Sequence, residues 1–75
     1  MRMLARLRYL LSEGFEVAHV GGEDGRGNEE GFGRGLLTFV TTDEAGRRRL
    51  HSEEFSITAE EATLCGRLFL RSLQT

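Results

Sequence analysis

His51 and Glu53 are the two residues of this chain that come nearest to acid–base chemistry. An imidazole titrates near neutral pH, and a carboxylate two positions on could orient it as a base. Ser52 and Ser56 stand beside them, but neither sits in a nucleophile motif. Cys65 is the only cysteine, so no internal disulfide is possible and a reducing compartment is favoured. An activated thiol needs exposure and nearby positive charge. Cys65 instead shares a helical stripe with Ala62, Phe69 and Leu73, and reads as a small buried apolar residue. His19, His51 and Cys65 lack local zinc-ligand spacing. No catalytic set, metal or cofactor is therefore expected.

The segment Gly21–Gly35 is rich in glycine and reads as a long acidic loop between two strands. Asp24, Asn28, Glu29 and Glu30 offer hard oxygen ligands, but without EF-hand spacing. Gly25-Arg26-Gly27-Asn28-Glu29-Glu30 has no Lys-Ser/Thr pair and is not a Walker loop. Its acids would also repel an anion. Phe32 is the aromatic residue of this segment, either an anchor to the core or a contact for a partner.

Every basic residue is Arg, and the one basic run is Arg47-Arg48-Arg49. Three guanidinium groups at the start of a strand would suit phosphate or an acidic protein surface. Arg2, Arg6 and Arg8 would extend such a patch if the first helix lies alongside. The formal net charge of −2 limits any nucleic-acid reading to a local patch.

The elements that must position these groups fit one domain of 75 residues. With 39% apolar and 29% charged residues, the composition is that of a soluble globular chain. No apolar run is long enough to span a membrane. Met1 through Glu13 lacks the continuous apolar stretch and cleavage site of a signal peptide. A cytoplasmic location is expected.

Leu4, Leu7, Leu10 and Leu11 recur at helical spacing and predict a helix over Met3–Ser12, stopped by Gly14. Phe15–Val20 alternates as a strand, with Phe15, Val17 and His19 on one face and Glu16, Ala18 and Val20 on the other. A second strand runs over Leu36–Thr42, with Leu37 and Phe39 on one face and Leu36 and Val40 on the other. Both faces carry apolar residues, so a helix or a partner is expected on the second.

Asp43-Glu44-Ala45-Gly46 is a hairpin loop with a left-handed Gly. The third strand starts at Arg47, and Leu50 falls out of phase with Phe55 and Ile57. A bulge or bend near Ser52–Glu54 would reconcile them, and two distinct short elements would do so equally well. Thr58-Ala59-Glu60-Glu61 is a capping box that opens a helix running to Leu73. Gly66 inside that helix suggests a close crossing.

The expected fold is a small two-layer α+β domain in α-β-β-β-α order, a three-stranded antiparallel sheet with two helices. That order and length resemble those of the double-stranded RNA-binding domain. The family presents a basic, lysine-rich start to its last helix; here the position holds Thr58-Ala59-Glu60-Glu61, and no site residues carry over.

A core this small is close to the minimum for independent stability, which favours a second subunit. The sequence thus reads first as a protein-interaction or regulatory module, self-associating and without catalytic activity. Phe32, Leu36, Val40 and the last helix are its candidate partner contacts. The alternative is a nucleic-acid binder using Arg47, Arg48 and Arg49. An enzyme built on His51 and Glu53 comes third.

Overall fold

The structure, a computed structural model, describes residues 1–22 and 32–74, with Phe32 through its backbone alone. The chain runs α1 (Arg2–Ser12), β1 (Glu16–Gly22), β2 (Phe32–Thr42), β3 (Arg48–Thr58) and α2 (Ala59–Ser72). The strands form one antiparallel sheet in the order β1-β2-β3. Met3, Leu7 and Leu10 of α1 and Cys65 of α2 are buried with Val17, Leu37, Phe39 and Ile57 in one core cluster. Both helices therefore cover the same face. The expected two-layer α+β domain is what forms, and among the described residues no helix lies on the other face of the sheet.

The turns follow from local chemistry. Gly14 takes φ +82°. Its N–H donates to the Leu11 carbonyl, and the Phe15 N–H donates to the Leu10 carbonyl. This pair of bonds closes α1 in a Schellman motif that only a residue tolerant of positive φ can occupy easily. Gly46, also at φ +82°, closes the β2–β3 hairpin. The Gly46 N–H donates to the Asp43 carbonyl, and the Asp43 N–H to the Arg47 carbonyl. The Asp43 carboxylate accepts from the Ala45 and Arg47 N–H groups at 2.9 and 2.8 Å and pins the loop.

Four expectations are corrected. First, the strands reach further into the glycine-rich segment than Gly21–Gly35 as a loop allowed. Gly21 and Gly22 end β1, and Gly33 and Gly35 lie in β2. A side chain at Gly35 would place its Cβ 2.5 Å from the Met3 sulfur and 2.8 Å from Ile57 Cδ1. Glycine here serves close packing of α1 on the sheet rather than a flexible loop. Asp24, Arg26, Asn28, Glu29 and Glu30 lie outside the described residues.

Second, β1 does not alternate throughout. Its register shifts between Val17 and His19, so Ala18 is the extra residue. Val17 opposes Phe39 and Val20 opposes Leu37 on the covered face, whereas His19 opposes Thr38 on the open one. Third, β3 has no bulge: its pairing with β2 is continuous from Thr58 opposite Phe32 to Arg48 opposite Thr42. Leu50 is out of phase with Ile57 because it lies on the open face, 71% exposed. Fourth, a Cβ at Gly66 would meet nothing within 4 Å, so no close crossing occurs there.

Candidate interaction surface

The capping box at the start of α2 turns out to join the two helices. The Thr58 hydroxyl accepts from the Glu61 N–H, as an N-cap should. The Glu61 carboxylate, only 4% exposed, does not turn back on its own helix. It accepts from the Leu4 N–H at 3.0 Å. That amide is in the first turn of α1, a helix with no side-chain cap and no acid in that turn. Glu61 thus satisfies one of the donors that every helix start leaves open, and its charge faces the positive end of the α1 dipole. The sequence pattern located the cap; the second partner, 57 residues away, left no local signal.

His51 and Glu53 point to the same face but do not form a dyad. Glu53 is held by Arg6 through bonds of 2.9 and 3.4 Å. His51 is exposed, stacks on Phe39 with ring centroids 5.2 Å apart, and shares a 2.8 Å hydrogen bond with Thr41. A cleft of about 340 Å³ opens nearby, between the α1–β1 turn and the end of β2. Glu13, Phe15, Glu16, Val40, Thr41 and Thr42 line it, and His51 does not. Burial pushes the Cys65 thiol up to about 11, and the nearby Glu61 charge pushes in the same direction. A thiol so shifted stays protonated, and hence a poor nucleophile, at neutral pH. Among the described residues no group of His, Cys, Asp and Glu could hold a metal ion.

The arginine run is divided rather than gathered. Arg47 sits in the hairpin loop and pairs with Asp43 at 3.6 Å. Arg48 reaches across β2 on the open face to Glu16 of β1. Arg49 lies on the opposite face of β3, exposed, and makes no ion pair among the described residues. Arg6 of the first helix is committed to Glu53 and lies over the Tyr9 and Phe39 rings.

The candidate partner contacts are likewise dispersed. Phe32 pairs with Thr58 through its backbone; its side chain lies outside the described residues. Leu36 is half-buried. Val40 is only 6% exposed, set between Glu16 and Leu50 in the register. Apart from the exposed Leu50 opposite Val40, the face around them is polar, with a Thr38–Ser52 hydrogen bond of 3.0 Å and an Arg34–Glu54 pair at 4.0 Å. In α2, Leu64, Leu68 and Phe69 are partly buried against the core, while Leu70 and Leu73 are exposed.

What the sequence pattern did not single out is the outer edge of β3. Among the described residues this strand, 11 residues long and unbulged, has a neighbour on one side only. The other edge strand, β1, is shorter and interrupted at Ala18. Among the described residues, fold and surface together define a two-layer α+β domain with one long open sheet edge. Comparison with family models, curated proteins and solved structures finds no match to the chain. Among the described residues, no helix is long and apolar enough to cross a membrane.

Proposed function

We propose that this chain is a small protein-interaction module that self-associates and carries no catalytic activity of its own. The observation that supports this reading is the open β3 edge. An unpaired strand presents a row of main-chain N–H and C=O groups, which another strand can satisfy directly. Such β-augmentation draws affinity from the backbone and selectivity from flanking side chains. Monomeric domains commonly shorten, bulge or cover such an edge. Here β1 has the bulge and β3 does not.

Size-exclusion chromatography with light scattering tests the reading across a concentration series. A concentration-dependent dimer is expected. A strict monomer at millimolar concentration would overturn it. Salt-dependent binding of nucleic acid by such a monomer, lost on replacing Arg49, would favour the phosphate-binding alternative instead.

A further inference from the structure

We propose that two copies of this chain pair β3 with β3, antiparallel and edge to edge, about a two-fold axis through His51. This deepens the self-association reading and rests on it. Among the described residues, the main-chain groups of β3 left unpaired by β2 limit which pairings are possible. The Asp43 N–H donates to the Arg47 carbonyl, which fixes the phase of the ladder between β2 and β3. Antiparallel pairs alternate between hydrogen-bonded and non-hydrogen-bonded. Counting along the register from Asp43 and Arg47, residues 49, 51, 53 and 55 bond to β2. The main-chain groups of Arg48, Leu50, Ser52 and Glu54 then point away from it.

A two-fold axis perpendicular to the sheet keeps each face on its own side. Residues directly opposite each other must therefore have the same parity, and the register can slip only in steps of two. One of the allowed registers centres on His51. It sets Arg48 opposite Glu54 of the second copy, and Arg49 opposite Glu53 of the second copy. By symmetry each pair occurs twice. Sliding one strand so that Leu50 faces itself sets Arg48 against Ser52. Sliding the other way so that Ser52 faces itself sets Leu50 against Glu54 and Arg49 against Phe55. The register through His51 alone matches both arginines to both glutamates.

The same strand in parallel alignment would lay like charge on like, which is unfavourable across a pair. The charges of β3 therefore favour one self-pairing rather than merely protecting an edge. Arg49, which has no ion pair among the described residues, then shares the Glu53 carboxylate of the second copy with that copy's own Arg6, in a non-hydrogen-bonded pair, where facing side chains are closest. Leu50 and Ser52 face one another on the open side and bring Leu50 out of solvent.

The register is tested by crosslinking. Cysteine is placed in turn by His51→Cys, Leu50→Cys and Ser52→Cys, each under mild oxidation. Cys65 is fully buried and does not compete. The His51→Cys protein should form a covalent dimer at least tenfold faster than either neighbour. Arg49→Glu should weaken the dimer at least tenfold, and adding Glu53→Arg should restore it, with circular dichroism confirming an intact fold in each. A dimer that crosslinks no faster at position 51, or that ignores Arg49→Glu, would overturn this register while leaving self-association standing. A strict monomer would remove both.

Discussion

Leu36 and Leu37 are the same side chain on consecutive residues of β2, and they end in different environments. Leu37 is fully buried beneath α1 and α2, with Val20 and Glu53 beside it in the register. Leu36 turns to the open face and stays half-buried, flanked by Gly21 and Glu54. Strand geometry alone separates them, because successive side chains point to opposite faces. The covered face is built for contact: Gly35, Leu37, Phe39 and Ile57 meet Met3, Leu7 and Leu10. The open face is finished with polar pairs, Arg48 to Glu16 and Thr38 to Ser52. One sheet thus separates the task of holding the domain together from the task of presenting a surface.

Truncating each leucine measures that division. Leu37→Ala should cost about 2–5 kcal/mol in urea denaturation, the range for a buried leucine that leaves a cavity. Leu36→Ala should cost less than half as much. Equal losses would mean that the open face is as tightly packed as the covered one.

The next effect concerns how the helix layer is tied together. Glu61→Ala leaves the Leu4 N–H buried without its acceptor. Its expected cost is about 1–3 kcal/mol, the penalty for an unsatisfied buried donor. Glu61→Gln keeps an acceptor oxygen and should recover a large part of the loss. Failure of Gln to improve on Ala would show that the amide is satisfied by other means.

Two glycines divide in the same way, one against the core and one in open space. At Gly35 a Cβ would be driven into Met3 and Ile57, so Gly35→Ala should destabilise by about 1–3 kcal/mol through overpacking. At Gly66 the same methyl meets nothing within 4 Å. Gly66→Ala should raise stability by up to about 1 kcal/mol, the helix-propensity difference. Thermal melts of the two proteins should therefore shift in opposite directions.

These sites also show what a sequence can reveal here. The element order was legible because each helix and strand carries its own period, and because Gly14, Gly46 and Thr58 mark ends through local chemistry. The strand faces were legible where alternation is unbroken, as in Leu37 and Phe39. They were misread in β1 because Ala18 is small enough to fit either phase, so nothing in the local pattern reveals the bulge. Leu50 suggested a break in β3 only on the assumption that a leucine must face the core. The Glu61–Leu4 bond and the Arg6–Glu53 pair depend on how α1 lies over the sheet, which no local spacing encodes. The open β3 edge is a property of strand order, and so emerges only once all three strands are placed.

Leu50 gives the smallest expected change and the most exacting check on the two faces. Its side chain is 71% exposed, so truncation to Ala removes little buried surface from the monomer. Stability measured at concentrations well below dimerisation should move by no more than about 0.5 kcal/mol. The same substitution should weaken self-association at high concentration, where Leu50 faces Ser52 of the second copy across the proposed edge. A large loss at low concentration would mean that Leu50 is packed within one chain, and the open face would no longer be open. A loss confined to high concentration is the result that distinguishes a surface from a core.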